Sequence, residues 1–120
     1  MDTKFVPRTL YLKMEIKQIY PRLSQFFGGY FNQDYDVMLD DFVFDRSKPL
    51  VPQMVREIKK ENSEKSINLV IEELEQLISK HYTNAILDQI SSQLGNDIDV
   101  ERFGYTYQQF LHEVLKYLKE

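Results

Sequence analysis

From Glu64 to Lys80 the apolar residues Ile67, Val70, Ile71, Leu74, Leu77 and Ile78 recur at intervals of three and four, with Glu72, Glu73, Glu75 and Gln76 among them. That period lines one face of a helix and leaves the other polar, and this stretch is the strongest helix in the chain. A second stripe, Ile86, Leu87, Ile90 and Leu94, follows Thr83, which can cap a helix, and precedes Gly95, which can end it in the left-handed conformation. Only His81 and Tyr82 separate the two stripes from one cap to the next, so they are expected to pair as antiparallel neighbours. Thr106 with Gln109 three residues on matches a capping box, and Tyr107, Phe110, Leu111, Val114, Leu115 and Leu118 carry a third stripe to the carboxyl end.

Upstream, Pro49 and Pro52 fit only the first turn of a helix, and Val51, Met54, Val55 and Ile58 give a shorter stripe. A helix from about Leu50 to Glu61 is expected, with Ser47 as its cap. Pro21 opens another, with Leu23, Phe26, Phe27 and Tyr30 inward and Gly28-Gly29 loosening its end. Two glycines cost about 1 kcal/mol each against Ala in a helix, so a turn or a close backbone approach is expected there. Leu10 to Ile19 alternates as a strand would through Leu10, Leu12, Met14 and Ile16, yet Leu12, Ile16 and Ile19 suit a helix, and we read it as one. Gly95 to Tyr105, closed by Gly104, is the one long connection; such loops either carry function or merely span a distance.

The 120 residues are one domain's length, so residues 1–120 are expected to form a single all-α domain. It should be a compact bundle of five to six helices with the Ile67, Ile71, Leu74, Ile78 stripe at its centre. Eight Phe and eight Tyr supply core material, and four Gly with four Pro are too few for an all-β chain of many tight turns. The absence of Cys excludes disulfides and thiolate zinc sites. Fifteen Lys and Arg against nineteen Asp and Glu give a net charge of −4, which disfavours nucleic acid or an anionic membrane and favours a basic partner. Apolar runs such as Leu69-Val70-Ile71 are far too short to span a bilayer, and Met1 to Pro7 lacks the apolar core of a secretory signal. A cytoplasmic location is expected.

Chemistry is sparse. His81 and His112 stand in no metal-ligand spacing and read as surface or boundary residues. Calcium loops starting at Asp34 or Asp97 would need Gly sixth and Glu twelfth, where the chain has Leu39 and Asp45, or Arg102 and Gln108. Gly28-Gly29 sits in no phosphate-loop motif, and Ser24, Ser91 and Ser92 sit in no nucleophile elbow. Asp40 and Asp41 are adjacent, hence about 100° apart on a helix, and cannot both serve one reacting centre. No catalytic residue, metal ligand or cofactor is expected, and the chain does not read as an enzyme.

Residues 32–45 hold five carboxylates, Asp34, Asp36, Asp40, Asp41 and Asp45, and no cation. They make either a solvated helix face with a cap at Asp34 or Asp36, or an anionic docking surface on which Tyr35 and Phe42 serve as anchors. Asp97, Asp99 and Glu101, in the long connection, are the alternative docking surface.

Tyr20-Pro21-Arg22-Leu23-Ser24-Gln25-Phe26-Phe27-Gly28-Gly29-Tyr30-Phe31-Asn32-Gln33-Asp34-Tyr35-Asp36 resembles the helical immunity proteins of bacterial contact-dependent growth inhibition systems. The likeness continues more loosely through Leu69 to Ile78, Leu94-Gly95 and Gly104 to Leu111, with Tyr35 and Phe110 standing where that family more often has Trp. The resemblance implies a small cytoplasmic protein that binds the toxic carboxyl-terminal domain of a cognate effector, often a nuclease, and blocks it. In the motif, Phe26, Phe27, Tyr30 and Phe31 would be core, while Gln33, Asp34 and Asp36 would cap the next helix or touch the toxin. Asp34, Tyr35, Asp36, Asp40, Asp41 and Asp45 are thus the expected partner-binding residues. A helical adaptor regulating an unrelated partner is the competing reading.

Overall fold

The computed structural model describes residues 16–31, 45 and 47–120. Gln33, Asp34, Tyr35, Asp36, Asp40, Asp41 and Phe42 lie outside the described residues, as does the part of the expected Leu10–Ile19 helix that precedes Ile16. Five α-helices and one 3-10 helix lie wholly within the described residues, which also include the helical residues 16–19 and contain no strand. They are α1 (Pro21–Tyr30), α2 (Leu50–Glu61), α3 (Glu64–Ile78), α4 (Asn84–Gln93), the 3-10 helix (Val100–Phe103) and α5 (Tyr107–Lys119). The all-α bundle is as expected.

Residues 16–19 are helical and run directly into α1, with a break at Tyr20 (φ −124°, ψ 60°). The break is imposed by Pro21, whose ring excludes the helical conformation from the residue before it. Tyr20 offers no side-chain cap. Glu73 of α3 does that work from across the bundle: its Oε1 accepts the N–H groups of Arg22 and Leu23 at 2.9 and 3.0 Å. A carboxylate at a helix amino terminus satisfies orphan donors and complements the dipole, so α1 is held to α3 at its first turn.

Ser47 does not cap α2. Pro49 occupies the cap position, which leaves Ser47 two residues outside, where its N–H and hydroxyl bond back to Asp45 Oδ1. Gln53 closes the turn instead, accepting from Asp45 N–H and donating to the carbonyls of Asp45, Lys48 and Pro49. The other caps are local and as expected. Thr83 accepts from Ile86 N–H, and the reciprocal Thr106 and Gln109 bonds are both formed. Gly95, at φ 100°, ends α4 in a Schellman motif: Asn96 N–H reaches Ser91 O at 2.9 Å and Gly95 N–H reaches Ser92 O at 3.1 Å.

The centre of the bundle is α5, and in this the structure differs from the expectation placed on α3. α5 packs on α2, α3, α4 and the 3-10 helix, while α1 packs on α3. α3 and α4 share few contacts despite their short link; left-handed His81 (φ 55°) turns the chain, and each helix seats on α5 rather than on the other. The buried face of α3 is Ile67, Val70, Leu74 and Leu77, with Ile71 and Ile78 only half-buried. Ile86, expected inside, stays 39% exposed. Phe110 of α5 is the meeting point of the aromatic residues: its ring centroid lies 5.6 Å from Phe31, 6.1 Å from Phe27 and 6.1 Å from Tyr105.

α1 continues unbroken through Gly28-Gly29, and neither glycine has a positive φ. The expected close approach exists at Gly28, but what approaches is backbone. A Cβ on Gly95 would fall 2.8 Å from Gly28 Cα, whereas one on Gly28 would meet only Leu94 O at 3.9 Å and one on Gly29 nothing within 4 Å. Gly95→Ala should therefore lower the melting temperature, since it adds both an overlap and a strained φ. Gly28→Ala with Gly29→Ala should raise stability by up to about 1 kcal/mol per site. Urea unfolding of both variants checks the pair of signs. Leu74→Asp, placing a carboxylate at a fully buried position, should cost several kcal/mol and abolish cooperative unfolding followed by circular dichroism.

Candidate functional site

The segment after Gly95 is built into the core rather than draped over it. Asn96, Ile98 and Val100 are buried, and Asp97 N–H donates to Phe31 O at 2.8 Å, tying the segment to the end of α1. Alternation of these inward residues turns Asp97, Asp99 and Glu101 outward, and all three are exposed. Asp99 Oδ1 accepts Glu101 N–H at 3.2 Å and so caps the 3-10 helix, which Gly104 closes at φ 87°. The long connection is thus a folded element.

Asp99 and Glu101 line a recess of about 220 Å³ together with Asn84, Ala85 and Asp88 of α4 and with Thr106 and Tyr107 at the start of α5. Three carboxylates here face one phenol. Tyr107 is half-buried, and its hydroxyl is pushed up to about 12, first by burial, then by the charge of Asp88 and its hydrogen bonding with the phenol, then by the charges of Asp99 and Glu101. None of the ion pairs among the described residues involves Asp88, Asp99 or Glu101. Their charges are therefore presented to solvent without an ion-paired Lys or Arg among the described residues. Such a concave anionic surface suits an arginine or lysine side chain, whose donors would replace the water now solvating the carboxylates.

The expected site residues divide clearly. Asp99 and Glu101 of the alternative set come together in the recess, and Asp97, though exposed, does not line it. Asp45 is occupied locally: hydrogen bonds from the Ser47 hydroxyl and amide, with the charge of Lys48 3.7 Å away, hold its carboxyl below the usual carboxylate range. It is a turn former. Asp88 was missed, because on the polar side of its own helix it has no local signal; only the seating of α4 on α5 brings it to Tyr107. Tyr107 itself reads as one more core residue in the α5 stripe.

Among the described residues no group of three or more His, Cys, Asp or Glu converges as metal ligands, and no helix is long and apolar enough to cross a membrane.

The raised Tyr107 hydroxyl has a checkable consequence. A group that ionises less readily in the folded than in the unfolded chain favours the folded state until pH rises past the unfolded value near 10. Between pH 10 and 12 the unfolded chain gives up this proton first, so stability falls over that window. Asp88→Asn should move the phenol down toward 10 and shrink that loss, as followed by ultraviolet titration of tyrosinate against the Tyr107→Phe variant.

Comparison with curated proteins and with solved structures gave no match. The family model described as CdiI immunity protein matches residues 19–118, spanning α1 to α5. Immunity proteins of this kind act generally by binding a cognate toxin and neutralising it, not by catalysis. With that match extending over nearly its whole length, the chain belongs to the CdiI immunity protein family.

Proposed function

We propose that this protein protects the cytoplasm by binding the carboxyl-terminal toxin domain of a contact-dependent growth inhibition effector, a nuclease with a basic substrate groove, and masking that groove with carboxylates. The observation that carries the reading is the recess in which Asp88, Asp99 and Glu101 stand around Tyr107 with no cation among the described residues paired to them. A nuclease binds phosphates through clustered Lys and Arg, so a surface of closely set carboxylates competes for the same cations. Family membership supplies the partner class, and the net charge of −4 has the sign that attracts it. Asp34, Asp36, Asp40 and Asp41, with Tyr35 as an aromatic anchor, are the second candidate docking segment, whereas Asp45 is left with its turn.

Charge reversal separates the two acidic surfaces. Asp88→Lys with Glu101→Lys should slow association with the cognate toxin domain at least tenfold at low salt, flatten its salt dependence and reduce protection of cells expressing the toxin. Exposed rim charges act on the on-rate and are screened beyond about 8 Å at physiological ionic strength. Melting temperature should hold or rise. Asp40→Lys with Asp41→Lys is the parallel variant. If only the second pair affects association, the toxin docks on the acidic run; if neither does, the electrostatic reading fails. Asp99 is left unchanged because it caps the 3-10 helix.

A further inference from the structure

His81 and His112, thirty-one positions apart, line the same recess of about 180 Å³ where α3, α4 and α5 meet. Its floor is apolar, formed by Leu77, Leu87 and Leu111, all buried. Its polar donors are at the mouth: both histidines are exposed, and Gln108 lies one turn before His112 on the same face of α5. Gln108 is itself fixed in place. Its N–H donates to Asn84 Oδ1 at 2.9 Å and its Nε2 to Tyr82 O at 3.0 Å, which leaves its Oε1 as an acceptor at the recess.

Two features set these histidines apart from ordinary surface residues. Neither imidazole is hydrogen-bonded or ion-paired to a described residue, so both rings retain their lone pairs for a ligand. His81 is also the one non-glycine residue with positive φ among the described residues, at 55°. That conformation is costly for a residue with a Cβ, and Gly or Asn would fill the same corner more cheaply.

We propose that His81 and His112 form a two-imidazole site for a borderline divalent transition metal ion, Zn²⁺, Ni²⁺ or Cu²⁺, with Gln108 Oε1 as a third donor and the remaining positions open to water. Imidazole nitrogens suit this group of ions and discriminate against Mg²⁺ and Ca²⁺, which prefer oxygen cages. Three protein donors with open positions make an accessible site, and the apolar floor beneath limits water access from the other side. The lining of this recess shares no residue with that of the acidic recess.

The test is calorimetric titration of the full chain with Zn²⁺, Ni²⁺ and, separately, Mg²⁺, together with electron paramagnetic resonance of the Cu²⁺ form. Saturable binding of one Zn²⁺ or Ni²⁺ is expected, with no response to Mg²⁺ and with hyperfine structure from two nitrogens on Cu²⁺. His112→Gln and His81→Asn should each weaken binding by more than roughly tenfold, the scale already set by loss of outer-shell partners. His81→Gly keeps the measurement independent of folding. It should raise the melting temperature of the metal-free protein by relieving the left-handed strain while it removes the ligand, so stability and binding move in opposite directions. Absence of saturable binding, or binding kept at full strength in the His81→Gly, His112→Gln double variant, overturns the proposal and leaves an adventitious ion only.

Discussion

Phe31 at the end of α1 meets Phe110 on α5 edge to face, centroids 5.6 Å apart and planes at 84°, with Phe27 at 6.1 Å from the same ring. Phe26 completes the group, 5.4 Å from each of Phe27 and Phe31. All four rings are buried to within a few per cent, so each brings a large apolar area out of water as well as the quadrupole contacts between rings. The contact joins the end of α1 to α5. Because α5 also carries α2, α3, α4 and the 3-10 helix, anchoring it to α1 closes the bundle, and α1 is in turn pinned at its other end by Glu73. Bringing segments so distant together requires closing a long loop, an entropic cost that the aromatic contacts offset.

The acidic recess depends on that closure. Phe31 accepts the amide of Asp97, and Gly95 rests on Gly28 so closely that a Cβ on Gly95 would not fit. These two backbone contacts set the height at which the chain leaves α4, and from there Ile98 and Val100 turn inward and Asp99 and Glu101 outward. α5 then presents Tyr107 between them and Asp88. The aromatic and glycine residues of the motif act as structure, and the charge is displayed by elements far from it in sequence.

What was legible in the sequence was local. Pro21, Thr83, Gly95 and the Thr106 with Gln109 box act within four residues of themselves, and the helices begin and end where those signals place them. Ser47 was a plausible cap by type and failed because Pro49 took the position and Gln53 supplied the bonds. Which helix lies at the centre was not legible, since the strength of a stripe does not say how many other helices pack on it, and α3 and α5 differ in their tertiary neighbours. The same reason hid Asp88 and the shared recess of His81 and His112: each depends on how two helices seat on α5, and periodicity within a helix carries no information about its partner.

The most direct test of the aromatic closure is a double-mutant cycle of Phe31→Leu and Phe110→Leu, with stabilities measured by urea unfolding. Leucine keeps the sites apolar, so the coupling energy isolates the ring contact from burial. A coupling of about 0.5–1.5 kcal/mol is expected for an edge-to-face pair of this geometry. Additivity within about 0.3 kcal/mol would contradict the claim that this contact closes the bundle and sets the position of the acidic recess.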